Sequence, residues 1–209
     1  MHGVPGGEGV VRTVKDPEER RRELLTCAMR LFAEKGYDNV SVRAVARDAG
    51  VTPGLAYHYF DSKQQLFDAA IEEYARRSAD ALCRIFDDRE LTLDEQLDRA
   101  LELGSSQDAF PYTAFFHAQG NDALHDRLSL AMCETVRGHV AASLRRDAAT
   151  RGASAPEAEV LADIMVYGSI GIASGPGMPD ERAILATRRY FGALLTEFRK
   201  GGVPVVENG

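Results

Sequence analysis

Three helix-start signals, Ser41, Thr52 and Ser62, stand ten or eleven residues apart. Each carries a side-chain oxygen able to take an orphan N–H of a first helical turn. Pro53 follows Thr52 at the first helical position, where its missing N–H is no loss. Val42, Val45, Ala46 and Ala49 fall at helical spacing after Ser41, and Gly50 stops that helix. The spacing therefore predicts two short helices joined by a tight turn, with Gly50 taking a left-handed backbone and Val51 plugging the turn into a core. A longer helix precedes them. Asp16-Pro17-Glu18-Glu19 reads as its start, with Asp16 as cap and Glu19 in capping-box register. Leu24, Leu25, Ala28, Leu31 and Phe32 make its apolar face, and Lys35-Gly36 ends it. Ser62-Lys63-Gln64-Gln65 is a further capping box, from which Leu66, Phe67, Ala70, Ile71 and Tyr74 begin a long fourth helix.

Helical periodicity continues to residue 199, and β-branched alternation is scarce. Five more helices are predicted over roughly 92–106, 110–119, 122–150, 156–174 and 180–199. Turn signals separate them, among them Gly120-Asn121, Arg151-Gly152 and Gly175-Pro176-Gly177. The expected fold class is all-α, about nine helices, with a three-helix head over 16–62 and a larger bundle over 63–200. Residues 1–15 and 201–209 read as flexible tails. There is no internal repeat.

Charge divides the same way. Residues 15–65 hold nine Lys/Arg against eight Asp/Glu, while residues 66–209 hold 15 against 23. The net charge of −7 argues against bulk affinity for nucleic acid or anionic membrane. A basic-to-neutral head on an acidic body is a two-part molecule. Cys27, Cys83 and Cys133 are odd in number and widely spaced, which fits neither a disulfide framework nor a zinc ribbon. No apolar run approaches the ~18 residues of a membrane span, and the first residues do not read as a signal peptide. A reducing cytoplasm is the expected compartment.

The stretch AGVTPGLAYHYFDSK (49–63) follows the turn. In a helix-turn-helix the second helix enters the DNA major groove with its N-terminal residues at the base edges. That role accounts for Thr52 as a hydroxyl and helix-end phosphate site, and for Gly54 as a point of close backbone approach. Pro53 and Leu55 would offer apolar contact at most. Tyr57 and His58 would reach phosphates or base edges. Ser41 and Arg43 from the preceding helix, and Lys63 from the next, would touch phosphate, with Arg43 also a candidate for guanine. Tyr59 reads as a packing residue. Arg20-Arg21-Arg22 reads as a solvated face paired with nearby glutamates.

These residues resemble the N-terminal domain of TetR-family transcriptional regulators. The matching runs are RELLTCAMRLFAEKGYDNVSVRAVARDAGV and TPGLAYHYFDSKQQLF, within residues 21–67. The family pattern is F-x-x-x-G-Y/F, a Thr or Ser cap, A-x-x-A-G-V, then G-x-L/I/F-Y-x-Y/H-F-x-x-K-x-x-L. Phe32, Gly36, Tyr37, Ser41, Ala46, Ala49, Gly50, Val51, Gly54, Tyr57, Tyr59, Phe60, Lys63 and Leu66 stand in register. The chain departs at Ala56, where a larger apolar residue is usual, and at Pro53, which replaces a frequent base-contacting residue. The resemblance implies a ligand-responsive regulator of transcription, most commonly a repressor. It also implies a homodimer on a palindromic operator, and a body that binds a small-molecule effector.

In the body, FPYTAFFHAQGND (110–122) is an aromatic-rich segment broken by Pro111. It is expected to wall a pocket through Phe110, Tyr112, Phe115, Phe116 and His117. Cys83, Phe86, Met132, Val136 and Tyr167 would join from neighbouring helices. Singly, each is also an ordinary core residue. VLADIMVYGSIGIA (160–173) is nearly all apolar or small. With the last helix it is expected to form a four-helix interface with a second copy, through Ile164, Gly168, Gly171, Ile184, Phe191, Leu194, Leu195 and Phe198. The alternative is a central core helix of a monomer. No P-loop, H-E-x-x-H, G-x-S-x-G or paired-carboxylate signature argues for an enzyme. His117, His125, Cys133 and His139 lack metal-ligand spacing, so neither metal nor cofactor is expected. Control by a partner, or by redox chemistry at Cys83 or Cys133, remains a rival to a small-molecule effector.

Overall fold

The computed structural model describes residues 16–104, 106, 110–173, 180–201 and 203–204. The expected tail 1–15 and most of 201–209 lie outside them. Nine helices run in order among the described residues: α1 (Pro17–Lys35), α2 (Val42–Asp48), α3 (Pro53–Tyr59), α4 (Lys63–Asp87), α5 (Leu93–Gly104), α6 (Thr113–Phe116), α7 (Asp122–Thr150), α8 (Ala158–Ala173) and α9 (Glu181–Gly201). A two-residue antiparallel pair, β1 (Ala153–Ser154) with β2 (Val203–Pro204), ties the end of the chain to the α7–α8 connection.

Local chemistry sets the helix ends. The Ser41 hydroxyl accepts from the Ala44 N–H, Thr52 from Leu55 and Ser62 from Gln65. The Gln65 side chain reaches back further than a capping box requires and accepts from the Asp61 N–H. Asp16 makes no such bond, so α1 begins on Pro17 and its acidic first turn without a side-chain cap. Gly36 and Gly50 sit at φ 77° and 67°, in the left-handed region where a side chain would be strained.

The head closes around one apolar cluster. Leu24, Leu25, Ala28 and Phe32 of α1 meet Val45 and Ala46 of α2, then Ala56 and Phe60, all essentially unexposed. Ala56 stands at a fully buried point of this core, so the small residue there faces the interior. The first half of α4 (Leu66, Phe67, Ala70, Ile71, Ala75) completes the cluster, so the head's core runs past residue 62 into the long helix. Phe67 takes the edges of Phe32 and Tyr37, each with ring centroids 4.9 Å away. The F-x-x-x-G-Y spacing is thus a clamp on α4, with Gly36 bending the chain so that both rings reach it.

A second cluster fills the body, between the far half of α4 and helices α5, α7, α8 and α9. Buried Gln96 of α5 pins the end of α4. Its amide donates to the carbonyls of Phe86 and Asp88 at 3.2 and 2.6 Å, and its oxygen accepts from Ser143 of α7. At the far end Arg199 of α9 bonds Asp94 and Asp147. Burial alone would raise the Asp147 carboxyl. Hydrogen bonds from Arg199 and Arg151 instead hold it below the usual carboxylate range.

Candidate DNA-reading face and effector cavity

The turn between α2 and α3 is closed by the Val51 N–H donating to the Ala46 carbonyl at 2.9 Å. Val51 packs against the head core as the residue pattern implied. With Ala56 and Phe60 inward, the other side of α3 is left to solvent: Thr52, Pro53, Gly54, Tyr57 and His58 are all exposed, and Leu55 is half-buried. Tyr57 keeps 43% of its surface accessible, an unusual amount for a large aromatic that no partner covers. On α2, Ser41 and Arg43 are exposed, and Arg43 has no hydrogen bond or ion pair among the described residues. Arg47, one turn further on, is exposed in the same way. Nothing crowds Gly54, since a Cβ added there would meet no atom within 4 Å.

Other basic residues are already engaged. Lys63 donates to the Asp38 carbonyl at 3.1 Å and lies 4.3 Å from the centre of the Tyr37 ring. It braces the α1–α2 turn. Arg20 pairs with Glu23, Arg22 donates to the Glu18 carbonyl, and Arg21 lies over Phe60. Arg30 is held between Glu34 and Asp48. Arg43 and Arg47, on α2 beside the exposed face of α3, are the head's arginines left without such an engagement among the described residues.

The body encloses a cavity of about 270 Å³. Of the residues that the sequence suggested for a pocket, Phe86, Phe110, Phe116, His117, Met132 and Val136 line it. Cys83 is buried beside it in the core and is not in the wall. Tyr112 and Phe115 turn to the head cluster instead, and Tyr167 lies outside the lining, half-buried on α8. The short α6 explains this split. Successive residues of a helix stand about 100° apart, so Phe116 reaches the cavity while Phe115 beside it packs only on the head.

Phe116 has a double position. It is 2% exposed, belongs to the head cluster and also forms cavity wall, and its ring stacks on Tyr74 of α4 at 5.4 Å and 7°. Leu128 of α7 is shared in the same way. Burial is what chiefly raises the Tyr74 hydroxyl above its ordinary pKa. His117 and His125 line one part of the wall with ring centroids 4.5 Å apart. His139 is elsewhere on α7, bonded to Asp87 at 2.7 Å, so it does not join them. Among the described residues no group of three or more His, Cys, Asp or Glu side chains is arranged to hold a metal ion.

The dimer residues expected from sequence divide between two faces. Ile164 and Gly168 are exposed on α8. Ile184 and Phe191 of α9 line the cavity, Leu194 and Phe198 pack on the body core, and Leu195 is inside it at 1% exposure. Gly171 falls within α8, but its surroundings lie outside the described residues. Helical periodicity gives the reason: positions 184, 187, 191, 195 and 198 of α9 form its inward stripe. Among the described residues, the large apolar side chains that these two helices leave open are instead Val160, Ile164 and Ile172 of α8 with Leu185 and Tyr190 of α9.

Residues 24–70, which span α1 to the start of α4, match the model of the bacterial regulatory proteins of the tetR family. The HTH-type transcriptional regulator BetI of Agrobacterium fabrum is 28% identical over 200 residues, covering 87% of this chain and 91% of the relative. The head thus carries the match to the TetR family, and likeness to a regulator of the helix-turn-helix type extends along most of the chain. The chain is a helix-turn-helix, DNA-binding regulator of transcription, and members of this family are regulators rather than enzymes. They bind DNA operators and typically act as dimers.

Other relatives match more narrowly. The HTH-type transcriptional regulator HbdR of Aromatoleum sp. is 40% identical over 66 residues, and the HTH-type transcriptional repressor KstR2 of Mycolicibacterium smegmatis 37% over 62. Those matches cover 30% of this chain, and 29% and 30% of the relatives. In fold, the chain is similar to Salmonella enterica GusR, with a TM-score of 0.61 at 18% identity over 88% of this chain and all of that one. It is also similar to a TetR-family transcriptional regulator from Streptomyces coelicolor, with a TM-score of 0.50 at 23% identity over 86% of this chain and 99% of that one.

Several wall residues of the body gave no signal in the sequence: Tyr74 and Leu82 of α4, Leu97 and Ala100 of α5, Ser129 of α7, Ser169 of α8 and Thr187 of α9. All sit on inward helix faces, where a cavity and a filled core call for the same residue types. The hydroxyls of Ser129, Ser169 and Thr187 were the one available clue, being polar groups within otherwise apolar stripes.

Proposed function

We propose that this regulator is a repressor that holds a palindromic operator as a C2 homodimer, and that a small apolar or amphipathic molecule entering the body releases it. Two α3 helices would lie in successive major grooves. Thr52, Pro53, Gly54, Tyr57 and His58 would face the bases and adjoining phosphates. Ser41, Arg43 and Lys63 would fix the register on the backbone, and Leu55 would support the helix from beneath. The second copy would cover the open stripe on α8 and α9, since Val160, Leu185 and Tyr190 each expose more than half their surface. The setting for such a protein is the cytoplasm. Among the described residues no helix is long and apolar enough to cross a membrane.

The observation that carries the reading is the shared wall. Phe116 belongs to both the head core and the cavity, and it stacks on Tyr74 of the helix that completes the head. A molecule filling the cavity bears on this pair and so on the angle of α4. Release follows only from unequal affinity for the two states. A hundredfold loss of operator affinity needs a difference of about 2.7 kcal/mol.

Selection of genomic fragments by the purified protein, followed by footprinting, tests the proposal. A two-fold symmetric footprint is expected, lost in Tyr57→Ala while that variant stays dimeric. Equal enrichment by wild type and Tyr57→Ala would remove α3 from the DNA face.

A further inference from the structure

The cavity wall carries no Lys, Arg, Asp or Glu side chain among the described residues. Three of its hydroxyl protons are already committed. Thr113 donates to the Phe110 carbonyl at 2.6 Å, Ser169 to Met165 at 2.7 Å and Thr187 to Ala183 at 2.8 Å. A hydroxyl that has given its proton keeps a lone pair, so these three present acceptors to whatever enters. Ser129, half-buried on α7 and in the wall, has no hydrogen-bond partner among the described residues and can both donate and accept. His125, its ring 4.5 Å from that of His117, adds a nitrogen of either kind.

We infer that the effector is an uncharged, largely apolar alcohol. The inference rests on the reading of this cavity as the effector site. A ligand hydroxyl meets the acceptors with its proton and uses Ser129 or His125 as donor. A carboxylate has no proton to give, and it would face acceptor oxygens with no Lys or Arg among the described wall residues. An ammonium group would find no carboxylate among the described wall residues. An unpaired buried charge is far more costly than a buried neutral group. A volume of about 270 Å³ lies at the small end for ligand pockets and suits a small molecule.

Four probes of matched size separate the possibilities: 1-octanol, methyl heptanoate, octanoate and octylammonium. Binding of each to the full-length protein is measured by calorimetry at pH 7.5, below its aggregation concentration. 1-Octanol is expected to bind tightest, the ester about threefold to tenfold weaker, and each ion at least tenfold weaker. Ser129→Phe and Ala100→Phe, both directed into the cavity and each checked for folding by thermal melting, are expected to abolish 1-octanol binding. An ion that matches the alcohol, in a manner blocked by cavity filling, overturns this inference and leaves the effector cavity standing. An ester that matches the alcohol does the same to the hydroxyl requirement. Binding that ignores both filling variants, or no binding by any of the four, overturns the cavity reading and this inference with it.

Discussion

Gly54→Ala separates folding from DNA contact on one residue. Gly54 is the second residue of α3, just after Pro53, and its backbone is not in the left-handed region. A methyl group there meets no atom within 4 Å. Replacing glycine by alanine in a helix stabilises by roughly 0.5–1 kcal/mol in an interior position, and the lower figure suits a first turn. For a chain of this size that is about 1–2 °C in Tm. If the start of α3 lies against DNA, the same methyl falls between backbone and groove, and operator affinity drops at least tenfold, about 1.4 kcal/mol. The assay pairs thermal unfolding with fluorescence anisotropy on the footprinted operator. The expected result is a protein slightly more stable and markedly weaker on DNA. Unchanged affinity with raised stability would refute close approach of α3 to DNA. A lowered Tm would refute the open space at Gly54. Gly50→Ala is the contrasting control: at φ 67° it has the room but not the conformation, and should lose about 1–2 kcal/mol of stability.

Ile164→Asp puts a charge into the open α8 stripe, and should shift the protein from dimer to monomer in sedimentation while its helical circular dichroism is retained. A dimer unaffected by Ile164→Asp and by Leu185→Asp would move the interface elsewhere. Asp147 is held below the usual carboxylate range, so its contribution is present above the unfolded pKa near 4 and is lost as pH falls through the folded value. Asp147→Asn should therefore lower stability at pH 7 and flatten its decline below about pH 4; an unchanged acid limb would show that the arginine contacts carry no linkage. Burial pushes the Cys83 and Cys133 thiols up to about 11, with nearby acidic residues adding to it. Labelling by iodoacetamide at pH 7.5 should be slow and operator binding indifferent to mild oxidants; rapid loss of binding on alkylation would restore a redox mechanism. Gln96→Leu strands the Asp88 carbonyl and the Ser143 hydroxyl and leaves the Phe86 carbonyl to Arg146 alone, so it should lower stability by roughly 1–3 kcal/mol. An unchanged melt would mean that water replaces the amide.

The head was legible in the sequence because its determinants are local. A cap serine or threonine bonds an N–H two or three residues on, a glycine turns the chain where it stands, and Phe32, Gly36 and Tyr37 set a clamp within six residues. Ser41, Thr52, Ser62, Gly36 and Gly50 all act where they were expected. The Asp16 cap is the exception, since nothing in the chain's local pattern decides which rotamer an exposed aspartate takes.

The body was legible only as helices. Periodicity says which residues turn inward, and an inward face is the same whether it meets a neighbouring helix, a cavity or a second subunit. Leu195 and Ile164 are both aliphatic residues on amphipathic or apolar helices, yet one is sealed in the core and the other is open to solvent. Packing decided that difference, through the crossing of α9 on α5 and α8. It also brought Phe116 against Tyr74, 42 residues away along the chain, and so joined the cavity to the head. Helix spacing and caps depend on neighbours in sequence. Which apolar stripe faces which other stripe depends on the whole bundle closing at once.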